Sequence, residues 1–305
     1  MTSNPAISVD SLRVSYRGKR GEKIEAVRGL SFEVERGEIV GFLGPNGAGK
    51  SSTLKALMGF VMPEGGSCSI FGLPAGSLAA KSKVGYLPEV AMYYPYLTPV
   101  ETLRLYGELQ GIGAKSLELE IDELLERVGL GQARRKLNRT LSKGMLQRVG
   151  IAQSLLGSPE VLVLDEVTSG LDPVGRRELR ELLLERRDRG CTLFFSSHEL
   201  SEVDMLCDRI LLLNGGVLVD QRPLAKLRES LQRFELVYRG TVSLLGLSED
   251  WNEGADGLVR ARFAGKRGLL EALDRARTAN AEIIDFVASE GSLEDFFVDS
   301  IRRVA

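Results

Sequence analysis

The apolar positions of this chain follow two rhythms that take turns, and their alternation predicts an α/β fold. Residues 7–16 alternate apolar and polar side chains as a half-exposed strand does, and residues 30–34 repeat the pattern before a turn at Arg36-Gly37. Residues 39–43 are instead an unbroken apolar run, the pattern of a strand buried on both faces. A glycine-rich stretch follows, and residues 51–58 read as a helix. From about Thr98 to Leu156 the spacing becomes helical: residues 101–106 and 117–128 carry apolar positions three and four apart, with charges between them. Short strand patterns return at residues 161–164, 192–195 and 209–213, with a helix predicted over 176–187. Strands alternating with helices imply a mostly parallel sheet that offers its carboxyl edge to ligands, here interrupted by a helical insertion.

Beyond about Asp220 the pattern starts afresh. Residues 258–263 and 283–287 read as strands with a helix over 267–277 between them, and Ser292-Leu293-Glu294-Asp295 has the form of a capping box opening a last helix. The expected organisation is one domain over residues 1–220, with a helical subdomain at about 90–156, and a small α+β domain over 221–305. A hydrophobic content of 43% supports sizeable cores. Lys and Arg total 40 against 42 Asp and Glu, a net charge of −2, so no electrostatic case for nucleic acid exists. Cys68, Cys191 and Cys207 lack metal-type spacing, and their odd number suits a reducing compartment. No charged start followed by an apolar run marks an export signal, and no apolar stretch approaches the roughly 18 residues of a membrane span. The chain reads as soluble, so a membrane role requires another polypeptide.

The chemistry begins at Gly44-Pro45-Asn46-Gly47-Ala48-Gly49-Lys50-Ser51, which fits Gly-x-x-x-x-Gly-Lys-Ser between a strand and a helix. Glycines let the backbone curl so that the N–H groups over Asn46, Gly47, Ala48, Gly49, Lys50, Ser51 and Ser52 can point at phosphate oxygens, with a helix amino end behind them. Lys50 supplies a point charge for the β- and γ-phosphates, and the Ser51 hydroxyl is a hard oxygen ligand suited to Mg²⁺. Downstream, Val161-Leu162-Val163-Leu164-Asp165-Glu166 is an apolar strand ending in two acids. Asp165 at the tip can hold the metal shell, and Glu166 can polarise a water beside the γ-phosphate. A solvated acidic turn is the plain alternative for that pair, and the phosphate loop upstream argues against it. His198 is the only histidine in the chain and follows a second apolar strand ending Ser196-Ser197, where a ring N–H can reach the γ-phosphate.

Three further segments stand in order. Leu141-Ser142-Lys143-Gly144-Met145 precedes Gln147-Arg148, Ser169-Gly170-Leu171-Asp172-Pro173 follows the acidic pair, and Val84-Gly85-Tyr86-Leu87-Pro88-Glu89 lies between loop and insertion. With these motifs in sequence, over roughly residues 7–219, the chain resembles the ATP-binding cassette family, the nucleotide-binding subunits of membrane transporters. The resemblance implies a RecA-like P-loop core with an antiparallel β subdomain. It implies ATP and Mg²⁺ as cofactors, and hydrolysis of ATP to ADP and phosphate. It also implies a head-to-tail dimer, of two copies or of this chain with a related ATPase subunit, coupled to a separate transmembrane permease subunit. The chain would then lie in the cytoplasm, held at the membrane through that partner. Tyr16 is placed like the family's adenine-stacking aromatic, Glu89 like its γ-phosphate-sensing glutamine near the metal, and His198 like its switch histidine. Ser142 and Gly144 stand where the family contacts the other subunit's ATP. Glu290 to Phe297 is similar to the closing motif of an accessory domain on export-type members.

Departures from the family pattern are specific. Lys143 and Met145 replace a glycine and a glutamine of the signature, Glu89 replaces a glutamine, and Val167 replaces a proline. These put in question how tightly the second subunit closes over the first, without undoing the resemblance. A soluble cassette ATPase acting on ribosomes or DNA is the competing expectation; such members carry two cassettes or long coiled coils, and this chain has one cassette and no heptad arm.

Overall fold

A computed structural model of the chain describes residues 4–90, 92–197, 199–240, 244, 248, 250–254, 256–290 and 293–302. The chain divides into two compact units, Met1–Gln221 and Arg222–Ala305.

In the first unit, β1 (Ile7–Arg17) and β2 (Lys23–Val34) form a long antiparallel pair, from Ile7 opposite Val34 to Arg17 opposite Lys23. β2 starts well before the predicted 30–34 because its first half is mostly exposed and polar. Backbone pairing with β1, not apolar alternation, holds it. β3 (Ile39–Leu43) and α1 (Lys50–Leu57) follow, then β4 (Gly65–Ile70) and the short β5 (Leu73–Pro74), which complete a sheet of order β2-β1-β4-β5. After α2 (Leu78–Lys81) and β6 (Val84–Leu87) comes the helical insertion: α3 (Pro99–Leu109), α4 (Ala114–Arg127) and α5 (Lys143–Leu155). Thr98 and Glu101 cap α3 reciprocally with Pro99 in its first turn, which fixes where the insertion begins. Leu117, Ile121, Leu124 and Leu125 bury one stripe of α4.

β7 (Val161–Asp165), α6 (Pro173–Asp188), β8 (Thr192–Ser196), α7 (Leu200–Leu206), β9 (Arg209–Asn214) and β10 (Val217–Pro223) finish the core. They form a six-stranded sheet of order β10-β9-β3-β8-β7-β6, with parallel pairing between β9 and β3, β3 and β8, β8 and β7, and β7 and β6. Every residue of β3, β7 and β8 is buried, as unbroken apolar runs demand of a doubly covered sheet. Phe32 of β2 meets Phe42 of β3 and Phe194 of β8 at centroid distances of 5.7 and 5.4 Å, and Phe42 lies 5.0 Å from Phe194. This aromatic trio ties the antiparallel sheet to the parallel one.

The second unit opens with α8 (Leu224–Leu231) and builds an antiparallel sheet of order β12-β13-β11-β14 from β11 (Gln232–Arg239), β12 (Asp250–Glu253), β13 (Val259–Ala264) and β14 (Glu282–Glu290). β13 and β14 both run antiparallel to β11, hence parallel to each other, and α9 (Gly265–Thr278) crosses between them as a split β-α-β unit requires. Leu236, Tyr238, Ala261, Phe263 and Leu269 form its core. The last helix, α10 (Leu293–Arg302), is present, whereas its expected cap Ser292 lies outside the described residues.

Replacing Phe194 with Ala should cost about 3–5 kcal/mol by emptying the centre of the aromatic trio. The shift in chemical denaturation midpoint measures it, and a change under about 1 kcal/mol would show that the two sheets are joined elsewhere.

Candidate active site

The turn after β3 owes its shape to a few glycines. Gly49 caps α1 at φ +107°, and a Cβ there would sit 2.5 Å from the Ala26 carbonyl oxygen; Gly47, at φ +82°, has open space around it. α1 begins without a side-chain cap and without an acid in its first turn, so its leading N–H groups and positive dipole end are directed to whatever the loop holds. Lys50 is buried and its ammonium donates to the Gly44 carbonyl at 2.6 Å. Burial lowers the Lys50 pKa, while the carboxylates of Glu166, Asp165 and Glu89 oppose that shift. Those same attractions report that the loop cation and all three acids share one neighbourhood.

The acids arrive there by strand register. Asp165 of β7 lies opposite Ser196 of β8, and Ser196 lies opposite Phe42 of β3, so three strands end together. Asp165 and Glu166 are both buried. The Ser196 hydroxyl donates to Asp165 Oδ1 and accepts the Glu166 N–H at 3.1 Å; the Ser196 carbonyl accepts the same N–H at 3.2 Å. Glu166 itself adopts φ +51°, the left-handed region that non-glycine residues enter at a cost of about 1–2 kcal/mol. Backbone strain thus sits on the expected water-activating residue. Burial, then the charge of Asp165, push the nearby Tyr86 phenol up to about 12.

The signature-like segment opens α5. Ser142 caps the helix by accepting the Met145 N–H at 3.2 Å, and both Ser142 and Lys143 are exposed. A Cβ on Gly144 would stand 2.6 Å from the Gly170 carbonyl oxygen, and one on Gly170 would stand 3.1 Å from the Lys143 stem. Lys143, one of the two residues that depart from the expected signature, therefore lies along the loop that follows Glu166. One turn on, buried Gln147 donates to the Val167 carbonyl at 2.9 Å, and Arg148 donates to the Val128 carbonyl at 2.7 Å while pairing with Glu178 at 2.9 Å. Asp172 then caps α6 through the Gly175 N–H at 2.8 Å.

Of the expected site residues, Asn46, Gly47, Ala48, Gly49, Lys50, Ser51 and Ser52 form the loop and the first turn of α1, with Asp165, Glu166 and Glu89 close by. Ser142 and Gly144 stand at the start of α5 against the 167–170 loop, and Tyr16 is exposed on β1 opposite Ile24. His198 lies outside the described residues. The sequence expectations did not single out Ser196 or Gln147. Their signals were available: a hydroxyl ending the buried run Leu193-Phe194-Phe195, and an amide on the buried face of α5.

Comparisons with known proteins identify the family. The profile of the ABC transporter family matches residues 27–169. The chain is 40% identical over 293 residues to an uncharacterized ABC transporter ATP-binding protein of Synechocystis sp., covering 92% of this chain and 80% of that one. It is 35% identical over 283 residues to a fluoroquinolones export ATP-binding protein of Mycobacterium tuberculosis, covering 91% and 88%. A solved ATP-binding subunit of an ABC transporter superposes with a TM-score of 0.67 at 30% identity, over 73% of this chain and 92% of that chain.

Gly47→Ala and Gly49→Ala separate two costs. Both place a Cβ at positive φ, worth about 1–2 kcal/mol, but only Gly49→Ala drives it into the Ala26 carbonyl. Denaturation midpoints should fall further for Gly49→Ala; equal falls would show that the carbonyl yields.

Proposed function

Since the chain belongs to the ABC transporter family as an ATP-binding subunit, an ABC-type ATPase, we propose that its loop, paired acids and α5 segment hold Mg-ATP and hydrolyse it to drive an export-type transporter. The observation that carries this reading is the buried Lys50 ammonium set among Asp165, Glu166 and Glu89 at the carboxyl edge of the parallel sheet. Residues 46–52 wrap the phosphates with N–H donors, and Lys50 turns its charge to the β- and γ-phosphoryl oxygens. Ser51, Asp165 and Glu89 supply hard oxygens of the kind Mg²⁺ prefers, which is why the donor set fits that ion. When bound, Mg²⁺ neutralises charge on the β- and γ-phosphate oxygens.

Glu166 accepts a hydrogen bond from water and takes its proton as the water oxygen bonds to the γ-phosphorus. The bridging oxygen leaves with ADP, and phosphate is released. Tyr16 supplies a ring face for adenine, and His198 a ring N–H for the γ-phosphate. Ser142 and Gly144 complete the site of a second subunit, either another copy or a related ATPase, in a head-to-tail pair. ATP binds the closed pair better than the open one, so it drives closure, and loss of phosphate reverses it. The tight fit of Lys143 and Gly144 on Gly170 supports motion of the α5 start and the Glu166 loop as one piece.

The transmembrane permease subunit docks beside Glu89. An open groove there is lined by Phe60, Tyr86, Met92, Tyr93, Tyr106 and Gln153, with Phe60 and Met92 exposed far more than a closed surface would leave them. Among the described residues no helix is long and apolar enough to cross a membrane; in this reading the permease partner holds the chain at the cytoplasmic face. Export as the direction follows from the likeness to the fluoroquinolones export protein. No nucleic-acid partner enters this reading.

Glu166→Gln should retain ATP binding while turnover falls by about 100-fold or more, and the dimer should accumulate in ATP on size exclusion. Unchanged turnover would remove Glu166 from the mechanism. Phe60→Glu should abolish co-purification with the membrane partner and leave nucleotide affinity intact; undiminished co-purification would place the docking surface elsewhere.

A further inference from the structure

We propose that Ser196 is a positioning residue for hydrolysis, one buried hydroxyl that sets the metal-side carboxylate of Asp165 and the water-side carboxylate of Glu166 together. The inference rests on the roles given above to those two acids.

Ser196 ends a strand whose other residues are Thr192, Leu193, Phe194 and Phe195, and it is fully buried. A hydroxyl left unsatisfied there would cost about 1–3 kcal/mol, so its presence calls for partners. Its partners are the two acids. A serine hydroxyl has one proton to give, and Ser196 gives it to Asp165 Oδ1. A donor on a carboxylate is the stronger, charge-assisted kind of hydrogen bond, so it limits rotation of the Asp165 carboxyl. The hydroxyl also accepts the Glu166 N–H at 3.1 Å, which the Ser196 carbonyl shares at 3.2 Å.

That shared N–H is the anchor of a strained residue. Glu166 stands at φ +51° without being glycine, a conformation that persists only where its surroundings fix it. The direction in which its side chain leaves the backbone is set by that φ. Through one oxygen, then, the orientation of Asp165 and the departure of Glu166 are linked across the β7–β8 ladder, where Asp165 and Ser196 are register partners.

The geometry also predicts which effect removal should have. Any residue at 196 keeps the backbone carbonyl, so the Glu166 N–H retains one acceptor and the strand pairing is untouched. What Ser196→Ala deletes is the donor on Asp165 Oδ1 and one of the two acceptors of the Glu166 N–H. A metal-positioning defect should appear in a protein that still folds.

The test uses the full chain as wild type, Ser196→Ala and Ser196→Thr. Mn²⁺ is titrated by electron paramagnetic resonance in the presence of ADP, which reads the Asp165 side without hydrolysis. ATP turnover gives kcat and KM, and melting temperature monitors the fold. Ser196→Ala should bind Mn²⁺ about 10-fold more weakly, the low end of what loss of a residue behind a metal ligand costs. Its kcat should fall by at least as much at saturating metal, with KM for ATP nearly unchanged, and Ser196→Thr should restore both. Wild-type Mn²⁺ affinity and kcat in Ser196→Ala would overturn the proposal. So would an equal loss in a Ser196→Thr protein of unchanged melting temperature, since Thr keeps the hydroxyl. If the extra methyl lowers the melting temperature of Ser196→Thr, the Mn²⁺ affinity of Ser196→Ala decides alone. Failure of the underlying reading is seen separately, as normal turnover in Glu166→Gln.

Discussion

The parallel ladder that sets β3, β8 and β7 side by side is the constraint on which the rest of the first unit depends. Its register places Phe42, Ser196 and Asp165 in one row, so that Gly44, Ser197 and Glu166 all leave the sheet at the same edge. Backbone hydrogen bonds between buried strands cannot slip by one residue without turning every side chain to the opposite face. The phosphate loop and the acids are therefore held at a fixed distance by main chain, and the side chains have only to finish the arrangement. Burial of all fifteen residues in these three strands is what makes that register rigid.

From that edge the site spreads by small, tight contacts rather than by long reach. Lys50 crosses its own loop to the Gly44 carbonyl, and Ser196 bridges to Asp165. Gln147 holds the Val167 carbonyl, and Gly144 admits the Gly170 carbonyl where a side chain would not fit. The last two contacts join the helical insertion to the loop that carries Glu166. Through them the start of α5 is tied to the segment that follows Glu166. The exposed Lys143 lies over the same loop, so one of the two departures from the expected signature falls on that linkage.

The electrostatics of the site are balanced to receive an anion. A buried ammonium and an uncapped helix start both favour negative charge, while three carboxylates oppose the lowering of the ammonium's pKa by burial. Such a set is poorly satisfied by itself and better satisfied by the phosphates of ATP. The strain at Glu166 belongs to the same economy of function over stability, as does the groove with exposed Phe60 and Met92 beside Glu89.

The sequence by itself determined the α/β class, the phosphate loop, the acidic strand tip and the family. Each of these is written in local order: an apolar run buried on both faces, a glycine spacing, two acids at a strand end. Residues 39–43, 161–164 and 192–195 were legible as strands for that reason, and α1, α4, α6 and α9 as helices by their spacing. The first half of β2, together with β4, β6 and β12, was not, because these strands are held by backbone pairing with their neighbours and carry little apolar alternation of their own. What only the tertiary structure decided is contact across the sheet. That Ser196 serves Asp165, that Glu166 takes a left-handed backbone, and that Lys143 and Gly144 lie on Gly170 all join residues about 26 to 31 positions apart, or depend on such joins. No local pattern encodes them, since hydrogen-bond geometry and steric fit exist only once the strands have found their register.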